Sequence, residues 1–285
     1  MKLSVIIPVY NSSSIISKLT NNIKEEIVKI QVISNYQIIL VNDCSDDNSW
    51  KEISKICNNE QNVIGMNLMK NYGQHNAIMA GINISDGDYV ILMDDDFQHS
   101  PNQIKKLISK IEEGYDVCYT NYKDNKYNSF KILGSKLNKK ISNFLINKPS
   151  DIYLSSFKCF TKKICNEIKK YDGPFVYIDG LIFDVTKNVT SVDVEHLDRM
   201  DGKSNYNLFK LVSLWLSVLT NFSIVPLRIS TITGFFMTII SFFSILIVII
   251  MKLLNPSTAA GWSSLISVLL FFSGIQFIVL GLLGE

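Results

Sequence analysis

Met1-Lys2-Leu3-Ser4-Val5-Ile6-Ile7-Pro8-Val9-Tyr10-Asn11 is either a secretion signal or a buried β-strand. A signal needs a longer apolar stretch that ends at small residues; this one is short, contains Pro8 and ends in Tyr10-Asn11. It reads as a strand. Three more apolar runs of similar length follow, and each of the four precedes a segment with helical spacing. Leu3–Tyr10 precedes Ile15–Ile30, Tyr36–Asp43 precedes Asp47–Asn58, Val63–Leu68 precedes His75–Ile84, and Tyr89–Asp94 precedes Pro101–Glu113. Short strands alternating with helices make βα units, hence an α/β fold with a mostly parallel sheet covered on both faces. Pro101 after Ser100 suits the first turn of its helix with a serine cap.

In an open α/β sheet, ligands bind beyond the carboxyl ends of the strands. Those ends here are Pro8-Val9-Tyr10-Asn11, Val41-Asn42-Asp43 and Asp94-Asp95-Asp96. A dinucleotide site needs a glycine-rich turn after the first strand, but Tyr10-Asn11-Ser12-Ser13 has no glycine, and no Walker sequence exists. Phosphates must be held another way. Asp94 and Asp96, two apart at a strand end, are expected to point the same way while Asp95 points opposite. Two hard oxygen ligands on one side suit Mg²⁺ or Mn²⁺, which would bridge to phosphate oxygens.

The charge distribution divides the chain. Of 54 Asp, Glu, Lys and Arg residues, 50 lie in the first 204 positions; the remaining 81 residues carry Lys210, Arg228, Lys252 and Glu285. So little charge excludes a uniformly water-exposed surface, and the abundance of Ile, Leu, Val and Phe excludes intrinsic disorder. Ile229 to Met251 are 23 uncharged residues, about 35 Å as a helix and enough to span a bilayer core of roughly 30 Å. A second run, Trp262 to Leu283, returns the chain to its starting face. Between residues 205 and 228, Leu208, Leu211, Val212, Trp215, Leu216, Val218, Leu219 and Phe222 recur at helical spacing, as in a helix lying along a membrane. Domains are therefore expected at 1–204, 205–228 and 229–285. Arg199, Lys203, Lys210 and Arg228 all precede the first span, which puts that side in the cytoplasm. The net charge of +2, with acids and lysines interspersed, gives no signal for a nucleic-acid partner. Five cysteines without a Cys-x-x-Cys pattern read as free thiols of a reducing compartment. A homo-oligomer is compatible with all of this.

Ser4-Val5-Ile6-Ile7-Pro8-Val9-Tyr10-Asn11, Val41-Asn42-Asp43-Cys44-Ser45-Asp46, Lys70-Asn71-Tyr72-Gly73-Gln74 and Asp94-Asp95-Asp96-Phe97-Gln98 resemble the successive motifs of family 2 glycosyltransferases. Ser156-Phe157-Lys158, His196-Leu197-Asp198-Arg199, Gly202-Lys203-Ser204-Asn205-Tyr206 and Pro226-Leu227-Arg228 resemble its polyprenyl-phosphate branch, the dolichyl-phosphate-mannose-synthase-like group with two carboxyl-terminal spans. The resemblance covers essentially the whole chain, in order. It implies a GT-A type fold and transfer of a sugar from a nucleotide-sugar to undecaprenyl or dolichyl phosphate, with inversion. By position, Asp94 and Asp96 would engage the diphosphate through the metal. Asp43 would hold the base, and Pro8 and Tyr10 would line the nucleotide pocket. Arg199, Lys203 and Lys158 would sit near the phosphates, and Gln98 and His196 would contribute to substrate binding.

The residue types suit that chemistry. A departing nucleotide diphosphate gains negative charge, which a divalent cation and nearby Lys or Arg stabilise. The acceptor is a phosphate monoester with a second pKa of about 6, already nucleophilic at neutral pH, so a strong base is less necessary. The only two arginines, Arg199 and Arg228, both lie just before the spans, and arginine offers the bidentate phosphate contacts that lysine lacks. Departures from the family pattern are Ser12 where Glu is frequent, Asp95 and Phe97 where Ala and Leu are common, and Ser156 and Lys158 where Asp and Arg are frequent. His75 and His99 read as structural, and Asp179 reads as an acid in an apolar helix, placed either to cap it or to contact the donor sugar. Two rivals are a processive polysaccharide synthase, disfavoured by the lack of Gln-x-x-Arg-Trp, and a nucleotide-binding membrane partner without catalysis.

Overall fold

The computed structural model describes residues 1–122, 152–173, 176–194, 225–257 and 261–284. The chain divides into two compact units, Met1–Asn205 and Tyr206–Glu285. In the first unit β1 (Lys2–Val9), α1 (Ile16–Val28), β2 (Asn35–Asn42), α2 (Ser49–Asn59), β3 (Val63–Asn67), α3 (Gln74–Ile84) and β4 (Tyr89–Leu92) follow in turn. A 3₁₀ turn at Pro101–Gln103 leads into α4 (Ile104–Glu112). Then come β5 (Val117–Tyr122), β6 (Lys158–Thr161), α5 (Lys162–Ile168), α6 (Ile178–Val185) and β7 (Val189–Val194). The four expected βα units are present. Proline 101 starts the 3₁₀ turn rather than the α-helix, and Ser100 makes no side-chain cap hydrogen bond there.

The seven strands form one sheet in the order β3-β2-β1-β4-β6-β5-β7. All neighbours run parallel except β6, which is antiparallel to both β4 and β5, so the sheet is mixed. Leu3, Val5, Ile7 and Val9 of β1 face one core, closed by Ile16, Leu19, Ile23 and Ile27 of α1 and by Ile104, Leu107, Ile108 and Ile111 of α4. That three-and-four spacing gives each helix one apolar stripe, and each fully buried Ile or Leu contributes about 1.5–3 kcal/mol. The opposite face carries α3 against β1 and β2, with Gly81 against the Ile6 side chain. A Cβ at Gly81 would collide with Ile6, so the glycine sets how closely helix and strand approach.

The second unit contains α7 (Val225–Leu254) and α8 (Gly261–Gly284). The helix expected from residue 229 begins at Val225, with Pro226 in the first turn, where its missing N–H costs nothing. Of residues 205–228, expected to lie along a membrane, 205–224 are outside the described residues and 225–228 form the start of α7. Ile229–Leu254 and Ser264–Leu283, with mean hydropathies of 2.6 and 2.4, are long and apolar enough to cross a membrane. The two helices meet backbone to backbone. A Cβ at Gly234 would lie 2.7 Å from the Gly274 carbonyl oxygen, and one at Gly274 would lie 2.8 Å from the Thr238 nitrogen. Ser230 Oγ donates to the Phe277 carbonyl at 3.2 Å. Small residues at the seam allow this approach, which apolar helices in lipid use for van der Waals contact.

Candidate functional site

The loops beyond the carboxyl ends of β1, β2, β3 and β4 are tied to one another by hydrogen bonds from side chains. Pro8 is buried near the end of central strand β1. It is tolerated because the β1–β4 pairing ends at Ile6–Leu92, with Met93 N–H donating to the Ile6 carbonyl at 3.1 Å, so no ladder bond is lost at residue 8. Tyr10 follows, 42% exposed. Its backbone N–H donates to Asp95 Oδ2 at 3.2 Å, and the Ser12 hydroxyl donates to the same oxygen. On the other side, Asn11 N–H donates to Ser45 Oγ at 3.0 Å, Ser12 N–H to Ser49 Oγ at 2.9 Å and Ser13 N–H to Asp47 Oδ2 at 3.0 Å. Burial tends to raise the Asp47 pKa, but hydrogen bonds from Ser49 and Ser13 prevail and hold it down to about 2.

Asp43, buried at the end of β2, accepts Tyr72 N–H on Oδ1 and Gly73 N–H on Oδ2, both at 2.8 Å. It clamps the loop that starts α3. Gly73, with φ of 87°, is the residue before that helix, and glycine carries no steric penalty there. One side chain on, Gln74 Nε2 donates to Asp94 Oδ1 at 2.6 Å. The junction between the loop after β3 and α3 is thus held at three successive residues, Tyr72 and Gly73 by the β2 acid and Gln74 by the β4 acid.

β4 ends at Leu92, so Asp94, Asp95 and Asp96 lie in a loop and not in the strand. The expected alternation of side chains does not set their directions; individual hydrogen bonds do. Asp94 meets Gln74, Ser156 and, at 3.9 Å, the ring of His99. Asp95 turns to the β1 loop, while Asp96 Oδ1 accepts the Gln98 N–H at 3.1 Å. Burial, with the neighbouring Asp96 and Asp95 charges, pushes the Asp94 carboxyl up to about 6 despite the Ser156 hydrogen bond. Burial likewise raises Asp95. The buried His99 Nε2 is 3.1 Å from Ser156 Oγ, and its ring lies against Phe157.

Among the described residues, the non-glycine positions with positive φ are Asn11 (56°), Cys44 (53°) and Phe97 (59°). Each follows β1, β2 or β4 within a few residues, so backbone strain is concentrated at this edge of the sheet, as at binding sites generally.

Lys158, expected near the phosphates, is the first residue of β6 and is buried. Its ammonium donates to Asp179 Oδ1 in the first turn of α6. The Tyr119 hydroxyl of β5 donates to the same oxygen at 2.8 Å. Pro8, Tyr10, Asp43, Asp94, Asp96 and Gln98 are gathered at one edge of the sheet, with Lys158 beside them on β6. His196, Arg199 and Lys203 lie outside the described residues. The sequence reading missed Gln74 and Ser156 as partners of Asp94, Asp95 as a tie to the β1 loop, and Tyr119 as a partner of Asp179. Gln74, Asp95 and Ser156 stood inside quoted motifs, but their partners did not follow from them; Tyr119 becomes visible only with the β5–β6 pairing. All five cysteines are free thiols, with Cys118, Cys159 and Cys165 buried.

The fold is shared with the crystal structure of glucosyl-3-phosphoglycerate synthase from Mycobacterium tuberculosis in complex with Mn²⁺ and UDP-glucose. The TM-score is 0.58 at 14% identity, over 78% of this chain and 79% of that one. Mannosyl-3-phosphoglycerate synthase from Rubrobacter xylanophilus gives a TM-score of 0.54 at 15% identity, over 77% of this chain and 72% of that one. In sequence, the undecaprenyl-phosphate 4-deoxy-4-formamido-L-arabinose transferase of Proteus mirabilis is 33% identical over 100% of this chain and 87% of its own length. The uncharacterized glycosyltransferase YkcC of Bacillus subtilis is 32% identical over 99% of this chain and 87% of its own length. Residues 4–173 match the sequence model of glycosyl transferase family 2, and with relatives above 30% identity running its full length, this chain is a glycosyltransferase that belongs to glycosyl transferase family 2.

Proposed function

We propose that the chain is a GT-A type enzyme that transfers a sugar, with inversion, from a nucleotide diphosphate to the phosphate of a polyprenyl lipid at the cytoplasmic face of a membrane. The observation that carries this reading is the presence in one chain of an acidic site at the carboxyl edge of an α/β sheet and a pair of membrane-length helices. One substrate of such an enzyme dissolves in water and the other in lipid. The name of the Proteus mirabilis relative, an undecaprenyl-phosphate sugar transferase, supports the acceptor class. The UDP-glucose and Mn²⁺ in the glucosyl-3-phosphoglycerate synthase complex support the donor class and the cation. Residues 1–204 would form the catalytic domain, the segment from 205 the membrane-surface part, and α7 and α8 the anchor.

The acids fit a divalent cation shared with substrate. Asp94 sits where burial and two adjacent carboxylates make its negative charge costly, a cost that a bound cation removes. No group of three or more His, Cys, Asp or Glu side chains able to hold a metal exists among the described residues. Asp94 and Asp96 would hold a Mg²⁺ or Mn²⁺ together with oxygens of the substrate diphosphate. Bound there, the cation would supply positive charge to the departing nucleotide diphosphate.

The protein's own residues do the positioning. Asp43 holds the Tyr72–Gly73 loop and keeps one lone pair on each oxygen for a base N–H. Pro8 and Tyr10 border the nucleotide, with Gln98 beside the acids. Gln74 and Ser156 orient Asp94. An oxygen of the acceptor phosphate attacks the anomeric carbon as the bond from that carbon to the diphosphate breaks, and the electron pair leaves on the nucleotide. The acceptor is largely deprotonated at neutral pH, so no side chain need take a proton. Arg199, Lys203 and His196 are assigned, from sequence, to the meeting place of the two phosphates.

The test is to incubate detergent-purified protein with Mg²⁺ or Mn²⁺, a short polyprenyl phosphate and a panel of nucleotide-sugars, and to detect glycolipid by mass spectrometry. One donor should yield product, and Asp94→Ala and Asp96→Ala should lower turnover at least about 100-fold. No product from any donor, with Asp94→Ala indistinguishable from wild type, overturns the reading.

A further inference from the structure

Across the sheet, Ile39, Ile6, Leu92, Lys158 and Tyr119 are partners in one row, on β2, β1, β4, β6 and β5. Partners in a row share a face, and Ile6 and Leu92 show what this face holds when only packing is required. Lys158 breaks the pattern with a charge. Its side chain is 4% exposed, its ammonium donates to Asp179 Oδ1, and it lies 4.9 Å from the centre of the Tyr119 ring. A buried ion pair is a poor stabiliser, since apolar residues of similar volume are generally as good or better, so its presence calls for another reason.

Two polar atoms of this cluster point to one. Asp179 accepts both Lys158 and Tyr119 on Oδ1, while its Oδ2 takes no hydrogen bond among the described residues and a tenth of the side chain still meets solvent. His75, in the first turn of α3, has its Nδ1 buried without a partner, and its ring stands edge-on to Tyr177 at 5.2 Å. The two groups lie near each other, since the Tyr177 ring that His75 meets belongs to the residue just before α6, two positions ahead of Asp179. Buried polar groups are nearly always paired, so an acceptor and a ring nitrogen left open together mark a place for a ligand.

The sheet order says which part of a ligand comes here. Tyr10 and Asp43 follow β1 and β2, Asp94 follows β4, and Lys158 and Tyr119 lie on β6 and β5. Strands are about 4.8 Å apart, so the cluster begins one strand beyond the acids, on the side away from the nucleotide loops. In a nucleotide diphosphate sugar, the sugar is joined directly to the second phosphate. A donor with its nucleoside over β1 and β2 and its diphosphate at Asp94 carries its sugar over β6 and β5.

We propose that Asp179, held by Lys158 and Tyr119, together with His75 forms the subsite that recognises the transferred sugar, and that it takes an uncharged sugar and rejects a uronic acid. This rests on the reading of the chain as a nucleotide-sugar transferase. Asp179 Oδ2 can only accept, so it selects a hydroxyl or amide N–H. Lys158 is already neutralised by Asp179 and is not available to a second carboxylate, which would face Asp179 as a like charge.

The experiment measures, by calorimetry with Mn²⁺ and the full chain in micelles, the affinities for UDP, GDP, dTDP, UDP-glucose and UDP-glucuronate. The last two differ only at the sugar's sixth carbon. Wild type should favour UDP-glucose over UDP-glucuronate at least tenfold. Asp179→Asn should lower that ratio at least fivefold and leave UDP affinity within twofold. The double variant Lys158→Met with Asp179→Leu removes the pair without stranding a charge, and it should do the same. A wild-type ratio near one, or variants that keep the wild-type ratio, overturns the subsite. Variants that lose UDP affinity as much as UDP-glucose affinity overturn it in favour of a purely structural role. A wild type that binds none of the three nucleotides overturns the transferase reading and the subsite with it.

Discussion

Asp95 receives the Ser12 hydroxyl and the Tyr10 backbone N–H on a single oxygen, Oδ2, and so ties the loop after β1 to the acids after β4. The tie adds to the β1–β4 pairing in setting where the loop that carries the exposed Tyr10 ring lies relative to Asp94 and Asp96. Replacing Asp95 by Ala should weaken UDP binding about tenfold, the order of one charge-assisted hydrogen bond. Asp95→Asn keeps an acceptor oxygen and should stay within about threefold of wild type. Calorimetric titration of UDP with Mn²⁺ checks both. Equal losses in the two variants would assign the effect to charge and not to the tie.

Cys44 holds φ at 53° immediately after Asp43, a conformation that costs a non-glycine residue about 1 kcal/mol. Its thiol makes one long contact, 3.9 Å to the Met69 carbonyl. Cys44→Gly should therefore raise the melting temperature of the first unit by roughly 1–3 °C, while Cys44→Val should lower it by a similar amount. Differential scanning fluorimetry of the two variants side by side measures the difference.

Raised protonation at Asp94 has a consequence for stability. Its folded pKa of about 6 lies above the unfolded value near 3.8, so the native state binds more protons between those values, and stability falls as pH rises through that window. Above pH 6 the whole penalty is present. In metal-free buffer at pH 7.5, Asp94→Asn should stabilise the protein by about 1–2 kcal/mol, a gain of roughly 3–6 °C that disappears at pH 4. The same substitution should abolish turnover. Melting curves at the two pH values, in chelator, decide it; a variant no more stable than wild type at pH 7.5 contradicts the assigned environment.

β1, β2 and β4 were legible because strands buried on both faces carry nearly unbroken apolar runs, as Val5 to Val9 and Ile38 to Val41 do, and the edge strand β3 was legible from its short apolar run between two helical segments. β6 was not, because Lys158 sits at its start, and a buried lysine looks like surface until its partner Asp179 is found 21 residues on. The acids after β4 were legible as a group, but their directions were not. The strand stops at Leu92, so the two-residue period that separates Asp95 from Asp94 and Asp96 ends before it reaches them. Asp95 does turn away from its neighbours, for a reason held in residues 10 and 12. Asp43 shows the same limit: a lone acid at a strand end is visible in sequence, whereas its clamp on Tyr72 and Gly73 depends on where the β3–α3 loop lands.

Gly234 and Gly274 make the sharpest demand in the second unit. Each faces the other's backbone, and a Cβ at Gly274 would lie 2.8 Å from the Thr238 nitrogen and 2.9 Å from the Gly234 carbonyl oxygen. Neither atom belongs to a flexible side-chain end, so even alanine forces the helices apart, and leucine does so by more. Separation also breaks the Ser230–Phe277 hydrogen bond and exposes the buried Ser241 and Ser267 to the surroundings. In the full chain in micelles, Gly274→Leu should make the stretch joining α7 to α8, residues 255–260, cleavable by a broad-specificity protease at a temperature roughly 5–10 °C lower than in wild type, consistent with a loss of about 2 kcal/mol or more from an overpacked seam. Leu283→Ala, at a position 81% exposed on α8, should leave the cleavage temperature unchanged. If both variants behave alike, the glycine contact does not hold the hairpin; if only Gly274→Leu responds, the close approach of the two backbones does.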